Sequence, residues 1–328
     1  MERALLFTAA LLAASLLDFL IGDPPRRTHP VRLIGGAITM QEKAARRLFK
    51  SPAGLKAAGL LITILTGGLV FTLVFLLQQG TYRYSVPAGL ILETYLLYIV
   101  QAGGDLRIHV RRVRQGLEKG SLSQGRAAAA MLVSRDTAAL DESGVSRAAL
   151  ESLFENSADG LVAPLFYAAL GGPALAALYK AVNTMDSMLG YKNEQYGELG
   201  FFPARADDLF SYLPARLTAL LILLASFGRS AFRRGVGVLK ADRYKHASPN
   251  SAWPEAAAAG ILNLRFGGTD RYGAGFINRP LINERGNKPV PEDIDRGLAL
   301  FNRVSFLAVI TTAVAAFLLR LNGGGYPL

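Results

Sequence analysis

Ala57–Leu77, AAGLLITILTGGLVFTLVFLL, runs for 21 residues without a charge. A helix rises about 1.5 Å per residue and the hydrocarbon core of a bilayer is about 30 Å thick, so this run is long enough to cross one. Composition points the same way. Hydrophobic residues make up 51% of the 328 residues and charged residues 19%, with a mean hydropathy of +0.27. Soluble domains carry about a quarter charged residues. Collagen-like, coiled-coil and disordered classes do not fit these proportions. The fold class expected is all-α: a polytopic, integral membrane helical bundle forming a single membrane-embedded domain over residues 1–328.

Other apolar runs join the first. Residues 4–21 start near the N-terminus as a signal peptide would, but Asp18 interrupts them and Gly22-Asp23-Pro24-Pro25 follows in place of a cleavage site. They are read as a retained first span. Residues 86–103 make a third span, with Glu93 inside it. Residues 161–179 are broken by Gly171-Gly172-Pro173, and either cross with a kink or dip in and return. Residues 213–228, which are short for a crossing, and 304–319 complete the set, giving five or six spans.

Basic residues orient the bundle. Lys and Arg number eight in residues 22–56, one in 78–85, eight in 104–160 and thirteen in 229–303. The three basic segments are expected in the cytoplasm, which accounts for most of the +11 net charge without nucleic acid. No basic, aromatic-interleaved module for RNA or DNA is present. With six full spans, residues 182–212 fall outside; with a re-entrant hairpin they stay cytoplasmic.

The chain has no Cys, which excludes disulfides, thiolate metal sites and a Cys nucleophile. His29, His109 and His246 lie far apart, which argues against a multi-His metal centre. No Walker loop, dinucleotide fingerprint or nucleophile elbow occurs, and the glycine-rich GGTDRYGAGF (267–276) matches none of them.

Ionisable groups against apolar runs are expensive, so each is a functional hypothesis. In DFLIGDPPRRTHP (18–30), Asp23, Arg26, Arg27 and His29 crowd a proline turn: a helix stop with snorkelling arginines, or an anion or Mg²⁺ pocket. In ESLFENSADGLVAP (151–164), Glu151, Glu155 and Asp159 recur at i, i+4 and i+8 as an acidic stripe suited to a hard cation. NTMDSMLGYKNEQYGELGFFPARADD (183–208) gathers Asn183, Asp186, Lys192, Asn193, Glu194, Arg205, Asp207 and Asp208, the mixture a metal–phosphate site uses. In KADRYKHASPNSAWPEAAAAGILNLRFGG (240–268), a turn leads into a short helix with Pro254 at its start and Glu255 in its first turn: a bare capped helix, or an anion site approached by Lys240, Arg243, Lys245 and His246. His246 by itself reads as a surface histidine.

These runs, in their order and spacing, resemble the adenosylcobinamide-phosphate synthase family of cobalamin biosynthesis. LLDFLIGDPPRRTHPVRLIG, ENxxDGxxAPLF, NTxDSMxGYKN, ARxDD and ASPNSAWPEAAAAG carry the resemblance, which covers about four-fifths of the chain. It implies an integral membrane enzyme, an acid–amine ligase of the cell's cytoplasmic membrane whose active site faces the cytoplasm. The reaction it implies joins (R)-1-aminopropan-2-ol, or its O-phosphate, to a propionate carboxylate of adenosylcobyric acid, with ATP and Mg²⁺ activating that carboxylate. Because ATP and adenosylcobyric acid are cytoplasmic, it favours a re-entrant or strongly kinked 161–179.

On this resemblance, Glu155, Asp159, Asp186, Lys192, Asp207, Asp208 and His29 are the expected catalytic residues. Glu155, Asp159, Asp186 and Asp208 are the expected Mg²⁺ ligands. Asp23, Arg32, Asn156, Asn183, Asn193, Arg205, Ser248, Asn250 and Trp253 are expected to bind substrate. Partners would be the corrinoid, the amine, membrane lipid and other cobalamin-pathway enzymes. Against it stand an ion-coupled transporter, for which no inverted repeat is visible, a non-catalytic scaffold for corrinoid enzymes, and a lipid-modifying transferase.

Overall fold

The computed structural model describes residues 1–24, 29–191, 193–272 and 275–321, without the side chains of 271, 272, 276 and 277. In chain order the elements are α1 (Glu2–Ile21), α2 (Val31–Leu48), α3 (Pro52–Tyr84), α4 (Val86–Val100), α5 (Gly103–Glu118), α6 (Leu122–Ala129) and α7 (Glu142–Ser157). A π-helical turn, Ala158–Val162, leads into α8 (Ala163–Leu189). Then come α9 (Phe201–Phe210), α10 (Tyr212–Leu224), α11 (Arg229–Asp242), α12 (Ala252–Leu262), the strands β1 (Phe266–Tyr272) and β2 (Gly275–Ile282), and α13 (Pro291–Leu321).

Among the described residues, five helical stretches are long and apolar enough to cross a membrane: Glu2–Ile21, Pro52–Tyr84, Val86–Glu118, Glu142–Leu189 and Pro291–Leu321. The all-α membrane protein expected from the sequence is thus what the chain forms. The run around 213–228 becomes α10, whose 13 residues reach about 20 Å, short of a crossing. A two-stranded antiparallel sheet, β1–β2, also stands inside the basic 229–303 segment.

The chain divides into two compact units. Unit 1 holds Met1–Ala102, Ala163–Ser211 and α13 from Val309 onward. Ser51 and Ser85 cap α3 and α4 through their hydroxyls, each ahead of a proline in the first turn. On α3, Leu61, Leu65, Leu69, Leu73 and Leu77 are exposed, as expected of a surface whose solvent is lipid. Its core joins α2, α3 and α8 through Ile38, Ile62, Val182, Met185 and Leu189, with Leu199 from the segment ahead of α9. Glu93 is buried within its span but satisfied, accepting from Gln78 Nε2 and from the Tyr82 hydroxyl, both at 2.6 Å.

The break in α8 has its own solution. Gly171 and Gly172 leave helical dihedrals, Gly172 with φ of 64°, and the helix resumes through Pro173 to Leu189. Proline has no N–H to give the carbonyl four residues back. Arg320 of α13 supplies the missing donors: Nη1 bonds the Ala169 carbonyl at 3.1 Å and Nη2 that of Ala168 at 3.5 Å. The guanidinium also lies 3.4 Å from the centre of the Phe7 ring.

Unit 2 holds Gly103–Val162 and Tyr212–Ala308. Asp141 caps α7 by accepting the Gly144 N–H at 2.7 Å. α11 and α12 meet where neither has a side chain: a Cβ on Gly260 would lie 2.7 Å from the Gly235 Cα. Ala256–Ala259 are fully buried beside this contact, and small residues let the backbones approach. Leu150, Leu153, Phe154, Phe266, Ile294 and Phe301 fill the core of this unit.

Replacing Arg320 by Met keeps the aliphatic stem and removes both donors to the α8 kink. An unsatisfied buried carbonyl costs about 1–3 kcal/mol, so R320M should melt below wild type in detergent; an unchanged melting temperature would show that the kink does not depend on the guanidinium.

Candidate functional site

Unit 1 places one acidic group. Asn183 and Asp186 stand near the C-terminal end of α8, Asp207 and Asp208 on α9. Asn183 Nδ2 donates to Asp207 Oδ1 at 3.2 Å. Burial, then the charges of Asp186 and Asp208, push the Asp207 carboxyl up to about 7. Such crowding of like charges is relieved by a shared proton or by a hard cation, and oxygen-only donors suit Mg²⁺. Arg205, 69% exposed, lies 3.8 Å from Asp208 one turn away. Asn193 caps the turn before α9, its Oδ1 accepting the Tyr196 N–H at 3.0 Å. Lys192 lies outside the described residues.

The proline turn near the N-terminus belongs to the same unit. The Tyr98 hydroxyl donates to the Gly22 carbonyl at 2.6 Å, fixing the chain ahead of Asp23. His29 Nε2 is 3.9 Å from Asp23 Oδ2, and its Nδ1 accepts the Val31 N–H at 3.2 Å. Arg32 is exposed on the first turn of α2. Arg26 and Arg27 lie outside the described residues.

In unit 2 the acidic stripe separates into different environments. Glu151 is fully buried. Arg135 Nη2 donates to its Oε2 at 2.7 Å, Arg279 contacts the same oxygen, and the Gly267 N–H donates to Oε1 at 2.7 Å. Asp270 completes the network, accepting from Arg135 at 2.8 Å and from Arg147 at 2.6 Å. Glu155, one turn along α7, is half-buried and outside this network. Asp159 sits in the π turn, which adds a residue per turn and breaks the spacing that would align it with the other two. Asn156, exposed, donates to the Ser152 carbonyl at 2.9 Å.

Two residues outside the expected set join Glu155. The side chains of Glu155, His246 and Glu255 bring polar atoms within 4.8 Å of one another. Burial first, then Glu155 and Glu151, hold the Glu255 carboxyl well above the usual range. Burial lowers His246 against the opposing pull of Glu155. Next to them, Ser248 accepts the Asn250 N–H at 3.2 Å, and Asn250 Oδ1 accepts from Arg216 Nη1 at 2.9 Å. That guanidinium lies 3.4 Å from the centre of the Tyr212 ring and 4.5 Å from that of Trp253.

The expected residues therefore fall into two groups, each within its own unit. Asp23, His29, Arg32, Asn183, Asp186, Asn193, Arg205, Asp207 and Asp208 belong to unit 1; Glu155, Asn156, Asp159, Ser248, Asn250 and Trp253 belong to unit 2. His246, Glu255 and Arg216 are additions. A histidine six residues after Lys240 and a glutamate opening an alanine-rich helix carry no local signal of partnership. The glycine-rich 267–276 contributes to the pairing of β1 with β2 that delivers Asp270.

A family model described as CobD/Cbib protein matches residues 11–301. The cobalamin biosynthesis protein CobD of Clostridium perfringens is 39% identical over 311 residues, covering 93% of this chain and 97% of the relative. CobD of Brucella suis is 42% identical over 299 residues, covering 88% and 90%. CobD of Yersinia enterocolitica is 38% identical over 312 residues, covering 95% and 98%. No solved structure matches the chain.

Because the folded Asp207 carboxyl titrates near 7 and an unfolded aspartate near 4, folding holds its proton more tightly. Its contribution to stability is complete below about pH 4 and is lost as pH rises through about 7. In Mg²⁺-free buffer, D207N should gain melting temperature over wild type at pH 8 more than at pH 5. Parallel profiles would show that the Asp207 carboxyl titrates normally.

Proposed function

The chain belongs to the CobD/Cbib family of cobalamin biosynthesis enzymes, and on that premise we propose that it is an adenosylcobinamide-phosphate synthase. The reaction is amide ligation of (R)-1-aminopropan-2-ol, or its O-phosphate, to a propionate carboxylate of adenosylcobyric acid. The observation that carries this reading is the family match, which runs through both units and includes every residue of the two candidate sites described above.

A carboxylate does not acylate an amine in water at useful rates, because its oxygen is a poor leaving group. ATP with Mg²⁺ supplies the activation of that oxygen. Asp186, Asp207 and Asp208 are the group whose chemistry fits the Mg²⁺. Arg205 and Arg32, with Lys192, would balance phosphoryl charge. Asn183, beside Asp207, offers an amide to the corrin's own amide side chains. The site faces the cytoplasm of the inner membrane on this reading, the side where adenosylcobyric acid and ATP are found and where basic loops remain.

The test is a turnover assay on the detergent-purified protein with adenosylcobyric acid, ATP, Mg²⁺ and either amine, read by mass spectrometry. A mass gain equal to the amide is expected, with ATP consumed in step. D186N and D208N should lower turnover by about 100-fold or more while the protein still inserts and elutes as wild type. A wild type that couples neither amine and leaves ATP intact would overturn the assignment.

A further inference from the structure

Glu155, His246 and Glu255 all belong to unit 2, and the ligation chemistry above leaves them without a task. Glu255 is 1% exposed, and its Oε1 has no hydrogen-bond partner. Burying a carboxylate oxygen unpaired is costly, so its surroundings are built for a donor or a positive charge. The nearby arginines are committed elsewhere: Arg135, Arg147 and Arg279 donate to Glu151 and Asp270. Glu151, Glu155 and Asp270 match those three guanidiniums in charge, and burial beside Glu155 and Glu151 keeps the proton on Glu255, so ionising it calls for one further positive charge.

His246 narrows the chemistry of the missing group. Its Nδ1 accepts the Ser248 N–H at 3.0 Å, so Nε2 carries the ring proton and the imidazole presents a donor. A metal ion needs a nitrogen lone pair instead. Two carboxyl groups and one donor, each with a polar atom within 4.8 Å of the others, complement a small organic cation that carries an N–H₃⁺ group and an oxygen close together, whose charge would take the place of the Glu255 proton. That bound admits such a group: an ammonium nitrogen about 2.8 Å from two oxygens, at a tetrahedral angle, sets them about 4.6 Å apart.

We propose that Glu155, Glu255 and His246 form the pocket for the amine substrate. The primary ammonium of a vicinal amino alcohol lies between the two carboxylates, and the oxygen on its neighbouring carbon, free or phosphorylated, accepts from His246 Nε2–H. This rests on the ligase reading for the identity of the amine; the pocket itself is argued from its own atoms.

The test measures steady-state kinetics on the full-length protein, varying each substrate in turn. Loss of one charged hydrogen bond should raise KM for aminopropanol about 10-fold or more in E155Q and in E255Q. KM for adenosylcobyric acid should stay within about twofold of wild type in the same variants. H246Q, whose amide keeps a donor, should retain more amine affinity than H246A. Should E255Q fail to fold, the half-buried E155Q carries the test. Unchanged amine KM in E155Q and H246A overturns the proposal. So does Mn²⁺ binding to wild type with a histidine nitrogen in its spin-echo spectrum that H246A abolishes. If wild type forms no amide at all, the ligase reading fails and calorimetry examines the pocket alone. Heat from aminopropanol but not from propane-1,2-diol supports the pocket; no heat from either overturns it.

Discussion

The buried carboxylate of Glu151 is the interaction on which unit 2 depends. A lone carboxylate there would be too costly to keep charged, and three arginines and a backbone N–H compensate it. Two of those arginines, Arg135 and Arg147, come from the α5–α7 region, whereas Arg279 and the partner acid Asp270 come from the hairpin. The network therefore fastens a two-stranded ribbon, marginal by itself, onto α7. Removing one partner would leave charge stranded in the interior, so the five side chains stand or fall together. Glu155, one turn further along α7, inherits its place from this anchor.

Three buried or half-buried acids show how surroundings decide what a carboxyl does. Glu151 has arginines on its oxygens and stays ionised, an element of architecture. Asp207 has two aspartates and one amide around it, and its proton leaves near neutrality. Glu255 has burial and two other glutamates against it, with arginines near but engaged elsewhere. Groups held away from their ordinary titration range gather where a protein does chemistry, and the two perturbed acids here lie among the residues that the family match covers.

Much of the fold was legible because the bilayer imposes a simple rule. Ala57–Leu77 and residues 304–319 read as spans on length and apolarity alone. Residues 213–228 read as short for a crossing, and the helix is shorter still, ending at Leu224 ahead of Ser226–Gly228. The hairpin was hidden because its strands, FGGTDRY and GFINRPLI, lack the apolar–polar alternation of a half-buried strand, and its anchor is Glu151, over a hundred residues away in sequence. For the site, Asp186, Asp207 and Asp208 announced themselves as acids beside apolar runs. Glu255 did not, since a glutamate in the first turn of a helix is ordinary there. Only the approach of α7 to α12 turns it into a buried group facing Glu155. Asp159 was aligned with Glu151 by assuming an unbroken 3.6-residue period, which the π turn does not keep.

The kink in α8 carries a consequence for how the protein is made. Its open carbonyls at 168 and 169 are served by a guanidinium some 150 residues later in the chain. A ribosome adding about 5–20 residues per second reaches that arginine several seconds after the kink has emerged. During that interval the break needs water, lipid headgroups or the insertion machinery to bond its carbonyls. Assembly of unit 1 is therefore a closing event rather than a progressive one, and chains truncated before α13 are natural substrates for membrane quality control.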